Sequence, residues 1–255
     1  MHIDIGKRSI RMSLSKGAIL LLTSFWFVSC GSQGAVEWVN FVQFNGIQYL
    51  ANYDASMGFG RALQQSDLGP VFATVQSKLA GNVNTLGYHI RDGDAGDLAA
   101  GTPVYTVKGY TPAFRLAAFL QERLVLYEAD DNPRAKTGAD LLDIGGKVQS
   151  IGVNSWVDSN KQLAAIKDAK EVGDLVEMVL TAPVDHSFSS PGNAAYVIIF
   201  YLKDDTTVSR TYFTSTGELL HYILLPGAFK TAIEKAVQTS FLRHFSDPNS
   251  GYSNS

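Results

Sequence analysis

Short runs of β-branched and aromatic residues, each of strand length and separated by turn signals, occupy most of the chain beyond residue 35. Asn45-Gly46 lies between two of these runs, and it suits the type I′ turn of a hairpin because both turn positions need positive φ. Gln121-Glu122 separates two more runs and predicts a second tight turn. Three later strands are predicted at 194–202, 206–213 and 218–225. The pattern therefore predicts a fold built mostly from antiparallel strands.

Two segments follow the period of a helix instead. Asp168 occupies an N-cap position with Glu171 three residues later, and apolar residues then recur at helical spacing as far as Pro183. Pro226 opens a second helix with a similar apolar face. The predicted fold is α+β and predominantly antiparallel, with three successive segments: a β-rich lobe (36–130), a β-sheet lobe with two helices (139–245) and a disordered tail (246–255).

The N-terminus has the layout of a secretory signal peptide. Residues 18–28 form an apolar run that is shorter than the roughly 20 residues a membrane-spanning helix needs. Basic residues precede this run and small residues follow it, so we predict a signal peptide over 1–29, with translation starting at Met1 or at Met12. Cys30 comes next and is the only cysteine of the chain, which excludes an intramolecular disulfide.

The segment Ser29-Cys30-Gly31 resembles the lipobox of bacterial lipoproteins, although Phe27 stands where that family usually has leucine. The resemblance implies that Cys30 is acylated, that 30–35 is a lipidated tether, and that the protein is held on a membrane outside the cytoplasm. Two other interpretations stay open at this point. An ordinary signal peptide can end near a cysteine by coincidence, and the apolar run can remain as an uncleaved anchor.

The body of the chain resembles secreted bacterial lipoproteins that have no assigned activity. The shared features are "FNGIQY", "DLGPV", "DGD…GTPVYTVKGY…FRLA", "GADLLD" and "YLKDDTTV". The resemblance implies an extracytoplasmic protein. Because the chain has a predicted signal peptide and no recognisable catalytic constellation, we predict a binding or interaction module whose partner is an envelope protein or a glycan. The resemblance names no catalytic residues, and we expect no cofactor beyond a possible calcium ion.

The charge balance argues against a nucleic-acid partner. The formal net charge is −3, and four of the basic residues lie in the predicted signal peptide. The remainder is acidic and carries no stripe of lysine or arginine, which nucleic-acid binding requires.

Carboxylates are dense in "RDGDAGD" (91–97), where Asp92, Asp94 and Asp97 offer oxygen ligands suited to calcium. The EF-hand pattern fails because Gly96 occupies its fifth position and no glutamate closes the loop. Two turns explain the same composition, since Asp and Gly favour turns for backbone reasons. The segment predicts either a calcium-stabilised structural element or a pair of turns.

Catalytic and ligand-binding candidates are fewer. Asp185 and His186 precede several serines and suggest an envelope hydrolase, but the chain has no G-x-S-x-G nucleophile elbow. A polar loop after a helix explains them equally. Three aromatic residues of the first lobe, Trp38, Tyr49 and Tyr53, form either a ligand-binding face or part of the core.

Overall fold

A computed structural model describes residues 38–85, 87–187, 195–219 and 222–246, with side chains as far as residue 243. The predicted signal peptide, Cys30 and the tether lie outside these residues. The serine-rich loop from 188 to 194 and residues 247–255 of the predicted tail also lie outside them.

The first sheet has the strand order β3-β6-β7-β8-β2-β1-β5-β4. All its pairs are antiparallel except β4 with β5. One face buries an apolar cluster that includes Val42, Tyr49, Leu116 and Tyr127. The strands are β1 (Phe41–Phe44), β2 (Ile47–Asn52), β3 (Leu68–Thr74), β4 (Ser77–Lys78), β5 (Asp94–Ala95), β6 (Pro103–Val107), β7 (Arg115–Leu120) and β8 (Arg123–Asp131).

Both predicted hairpin turns of this sheet are confirmed. Asn45 and Gly46 have φ values of 53° and 70° and connect β1 to β2. Gln121 and Glu122 have φ values of 48° and 65° and connect β7 to β8. The two-residue loops fix the register of each pair, because a left-handed turn matches the twist of the strands it joins.

The second sheet has the order β10-β9-β11-β12-β13-β14. Its pairs are antiparallel throughout, and both sheets belong to one compact unit. The division of the chain into lobes at 36–130 and 139–245 stays a prediction. The strands are β9 (Val148–Ser155), β10 (Gln162–Ile166), β11 (Tyr196–Leu202), β12 (Thr207–Phe213), β13 (Glu218–Leu219) and β14 (Ile223–Leu224).

The single strand predicted over 218–225 is wrong. The segment folds back on itself, so that Glu218 pairs with Leu224 and Leu219 pairs with Ile223. Tyr222 adopts a left-handed φ of 69°, and its backbone N–H donates to Glu218 Oε1 at 3.1 Å. A buried carboxylate therefore holds the turn, which a hydrophobic run alone does not reveal.

Two helices pack against the second sheet, as predicted. The first helix, α1 (Ala169–Thr181), begins at Asp168, whose side chain accepts a hydrogen bond from the backbone of Glu171 at 2.9 Å. The second helix, α2 (Gly227–Ser246), buries Phe229 and Ile233 in the same apolar cluster as Val172 of α1. The α+β, strand-dominated fold class is therefore confirmed. Neither helix in the described ranges is long and apolar enough to cross a bilayer.

A buried ion network joins the two sheets. Arg115 of β7 lies opposite Glu128 of β8, and both are almost fully buried. The Nε and Nη2 atoms of Arg115 donate to Glu128 Oε1 at 3.0 and 2.7 Å. The same guanidinium donates to Thr206 Oγ1 at 2.9 Å and to the Thr207 carbonyl at 2.7 Å, at the start of β12. Arg210 of β12 also donates to Glu128, through a hydrogen bond of 2.9 Å to Oε2.

The substitution Arg115→Met should destabilise the fold by about 3–5 kcal/mol, because it retains the apolar stem and leaves a buried carboxylate with one cation fewer. Urea denaturation measures the change in free energy of unfolding. Lys170→Met is the control, since Lys170 pairs with Asp174 on the exposed face of α1. This substitution should leave the urea midpoint unchanged. Equal midpoints for Arg115→Met and the wild type would contradict the structural role of the network.

Candidate functional site

Asp54 is the central residue of the candidate site, and it lies where β2 leaves the first sheet. The chain turns at this point into a 3-10 helix, Asp54–Met57, and Asn52 Oδ1 accepts the backbone N–H of Asp54 at 2.8 Å. The side chain of Asp54 reaches across to β12. Ser209 Oγ donates to Asp54 Oδ1 at 2.5 Å, and Thr207 Oγ1 donates to Asp54 Oδ2 at 3.0 Å.

The electrostatic environment of Asp54 is unusual for a carboxylate. Only 4% of the residue is exposed, and within the described ranges no lysine, arginine or histidine forms an ion pair with it. Burial raises the pKa of Asp54, and the Glu128 carboxylate adds to this shift while the Ser209 hydroxyl opposes it. Neutral hydroxyl donors therefore stabilise this charge where a cation would ordinarily do so.

Glu128 shows the opposite behaviour although it is equally buried. Burial alone would raise its pKa, but Arg115 and Arg210 together hold the pKa of Glu128 below its ordinary value. Two neighbouring buried carboxyl groups thus have pKa values that are shifted in opposite directions. Such a contrast is a feature of functional sites when it coincides with a cleft.

Two cavities open beside Asp54, and both are lined by Asn52, Tyr53 and Asp54. The first has a volume of about 200 Å³ and is bounded by the tip of the β7–β8 hairpin and by Thr206 and Thr207. The second has a volume of about 290 Å³ and lies on the side of Ser209 and Arg210. A buried charge beside two small cavities can orient a ligand that carries a polar group.

The three predicted ligand-binding aromatics have different surroundings. Tyr53 is 50% exposed, lines both cavities and accepts a hydrogen bond from Asn40 Nδ2 at 2.9 Å. Tyr49 is buried in the core of the first sheet, where its hydroxyl donates to the Pro112 carbonyl. Trp38 packs against Phe41 and donates its indole N–H to the Val83 carbonyl. The structure therefore brings Tyr53 alone of the three to the cavities.

Asp92 and Asp94 of "RDGDAGD" (91–97) accept hydrogen bonds from different partners. Asp92 Oδ1 accepts the backbone N–H of Gly46 at 2.8 Å, which braces the β1–β2 turn. Asp94 is buried, and its Oδ2 accepts both the Tyr88 hydroxyl and the Arg91 backbone N–H. In the part of the chain that the structure describes, these residues and Asp97 do not converge with each other or with other ligands into a group of three that could hold a metal ion.

Asp185 and His186 form separate contacts within the described residues, and their catalytic role stays a prediction because Ser189 and Ser190 lie outside those residues. Asp185 Oδ1 accepts the backbone N–H and the hydroxyl of Ser187, at 2.9 and 2.6 Å. His186 Nε2 lies 3.1 Å from the Ala135 carbonyl, and its Nδ1 lies 4.0 Å from Asp131. The carbonyl can only accept, so Nε2 carries the proton in this contact.

Sequence reasoning did not identify Asp54, because it stands in a polar stretch that predicts only a loop. Its partners Thr207 and Ser209 follow more than 150 residues later in the chain. A clearer signal was available at Arg115, which is the one charge within the apolar strand "FRLAAFL". A charge at that position requires a buried partner.

Comparison of the chain with protein-family models, with curated proteins and with solved structures gives no match in any of the three.

The glycine of "RDGDAGD" that precedes Asp97 yields a test of the structural role of this segment. A Cβ on Gly96 would collide with the Val39 carbonyl oxygen, so Gly96→Ala should destabilise the fold by about 1–3 kcal/mol in urea denaturation. Gly173→Ala is the matched control, because nothing lies near that position on the exposed side of α1. The control should stabilise by about 0.5–1 kcal/mol. Similar effects of both substitutions would contradict the close approach at Gly96.

The shifted pKa of Asp54 predicts a pH dependence of stability. The folded state holds the Asp54 proton more tightly than the unfolded chain, so this residue contributes less to stability as pH rises above about 4. The Tm of Asp54→Asn, measured by differential scanning calorimetry, should therefore rise relative to the wild type between about pH 4 and about pH 7.

Asp67→Asn is the control for this experiment, because the pKa of Asp67 is shifted in the opposite direction. Hydrogen bonding to Arg61 lowers the pKa of Asp67, so its contribution is present above the unfolded pKa and is lost as pH falls. The Tm of Asp67→Asn should therefore lie below that of the wild type by a nearly constant amount between about pH 4 and about pH 7, and the difference should shrink only below about pH 4. Parallel trends for the two variants would show that Asp54 is not the titrating group.

Proposed function

We propose that the protein is a lipid-anchored binding module outside the cytoplasm, and that the cavities beside Asp54 hold its ligand. The observation that carries the binding role is Asp54, which is buried, lines both cavities and has no ion-pair partner within the described ranges. Folding does not require a charge there, because an amide or a hydroxyl would occupy the same space at lower cost in desolvation. A ligand supplies a reason for the charge.

The anchoring role is supported by the order of features at the N-terminus. The basic segment, the short apolar run and Ser29-Cys30-Gly31 follow one another as in lipoprotein precursors. Each buried methylene of an acyl chain contributes about 0.8 kcal/mol to membrane binding, so two or three chains on Cys30 would hold the module at a membrane surface.

The rest of the fold is consistent with a passive module. Asp185 accepts the Ser187 hydroxyl and His186 contacts the Ala135 carbonyl, so these two candidates do not share one hydrogen-bonded triad within the described residues. Strands of both sheets form one side of the first cavity, at 123–126 and at Thr207, and strands position a binding site more firmly than mobile loops do.

Expression of the full chain in a bacterium that processes lipoproteins tests the anchor. The wild type should sediment with membranes and show the intact mass of a chain that begins at Cys30 and carries acyl groups. Cys30→Ser should lose the acyl mass and the membrane association. Ser32→Ala is the control, because it changes the tether without removing the thiol, and it should behave as the wild type.

Two outcomes would contradict the lipid anchor. A soluble, unmodified wild type would indicate ordinary secretion. A Cys30→Ser variant that stays in the membrane, with a mass that differs from the wild type only by the replacement of sulfur with oxygen, would indicate an uncleaved apolar anchor.

A further inference from the structure

The first cavity fills a gap in the first sheet. Pairing of β2 with β8 ends where Asn52 meets Leu126, because β2 then turns into the helix that begins at Asp54. The strand β8 continues past this point to Arg123 at the hairpin turn. The cavity of about 200 Å³ lies between the diverging segments, and it is lined on one side by 123–126 and on the other by 52–56.

The backbone of Leu124 faces this gap. Pairing of β7 with β8 is continuous, and the Ala129 N–H donates to the Phe114 carbonyl at 2.8 Å. Antiparallel residues alternate in the direction of their backbone groups, so odd-numbered residues of β8 bond to β7 and even-numbered residues point toward β2. The N–H and C=O of Leu124 therefore point to the side that β2 has left. No described strand pairs with them on that side, so they form a short free strand edge along the cavity.

Two opposite charges flank this edge. Asp54 lies at the end nearest β2, and Arg123 lies at the hairpin end, where its exposed side chain has no carboxylate partner in the described ranges. Arg61 also borders the cavity, but Asp67 neutralises it through two hydrogen bonds of 2.6 and 3.1 Å. The cavity thus presents one available anion and one available cation.

We propose that this cavity binds a zwitterionic α-amino acid with an apolar side chain, placed in line with β2 and opposite Leu124. This inference rests on the proposed function and names its ligand class. The ligand exchanges two hydrogen bonds with Leu124, its ammonium donating to the carbonyl and its carboxylate accepting the N–H, as residues of an antiparallel pair do.

The direction of the ligand follows from the direction of β2. A residue that continues β2 runs antiparallel to β8, so its amino end points back toward Asn52 and its carboxyl end points toward Arg123. This direction brings the ammonium to the side of Asp54 and the carboxylate to the side of Arg123. Reversal of the ligand would place each charge beside a like charge.

The size and the walls of the cavity select the side chain. About 200 Å³ is smaller than the 300–1,000 Å³ of sites for drug-sized ligands, and it suits a single residue. Leu63, Leu120 and Leu126 line it and offer apolar contact. An amino acid such as leucine meets these conditions, whereas a charged side chain would be desolvated without a partner.

Isothermal titration of the full chain in detergent with three probes tests the proposal. L-Leucine carries both charges, 3-methylbutylamine lacks the carboxylate, and 4-methylpentanoate lacks the ammonium. Leucine should bind saturably, and each of the other probes should bind at least about tenfold more weakly, because each loses a charge-assisted hydrogen bond.

Two variants assign the charges. Asp54→Asn and Arg123→Gln should each weaken leucine binding at least about tenfold while the circular dichroism spectrum stays that of the wild type. Arg91→Gln is the control, since Arg91 is equally exposed and lies outside the cavity. It should bind leucine as the wild type does. The probe comparison needs no variant, so it stands even if Asp54→Asn fails to fold.

The outcomes separate this inference from the proposed function. Absence of saturable leucine binding overturns the inference, as does leucine binding that neither variant weakens. If the amine or the acid binds as tightly as leucine and Asp54→Asn or Arg123→Gln abolishes that binding, the cavity is a ligand site but the amino-acid class is wrong. The lipid anchor is decided independently by the mass of the wild-type chain.

Discussion

The guanidinium of Arg115 is the interaction on which the arrangement of the two sheets depends. It lies 4.4 Å from the centre of the Tyr110 ring and donates to acceptors in both sheets. A buried guanidinium without acceptors would cost several kcal/mol. The folded chain avoids this cost only when the start of β12 lies against β7 and β8. The ion network therefore specifies how the sheets meet, while the apolar clusters supply most of the driving force for folding.

The same network explains the condition of Asp54. Glu128 accepts from both Arg115 and Arg210, so the two nearby cations are committed to one carboxylate. Asp54 receives hydroxyl donors from β12 instead. Its charge is consequently held in a region of low dielectric mainly by hydroxyl dipoles, with a smaller contribution from Arg210, which leaves it able to attract a cationic group from outside.

Features that depend on neighbours in sequence were predictable, and features that depend on the meeting of the sheets were not. The Asn45-Gly46 turn and the Asp168 cap each rest on two to four adjacent residues, and both are present. The Glu218 turn was missed because a buried glutamate replaces the usual turn residues. Asp54 was missed because its hydroxyl partners lie in another sheet. Asp92 and Asp94, which the sequence suggested either as calcium ligands or as turn residues, brace turns by accepting backbone N–H groups.

The gap beside Leu124 can bind a ligand because Arg115 and Arg210 pair with Glu128 and leave Asp54 without an ion-pair partner in the described ranges. Water satisfies a free strand edge when no ligand is present, so two backbone hydrogen bonds add only modestly to affinity. The larger contribution comes from Asp54, because folding has already removed most of its hydration and the hydroxyl groups of Thr207 and Ser209 fix its orientation. The carboxylate is desolvated and oriented before a ligand ammonium binds, so little loss of conformational entropy opposes binding. The Arg115 network makes this possible, since it holds β12 and the end of β2 in place on either side of the gap.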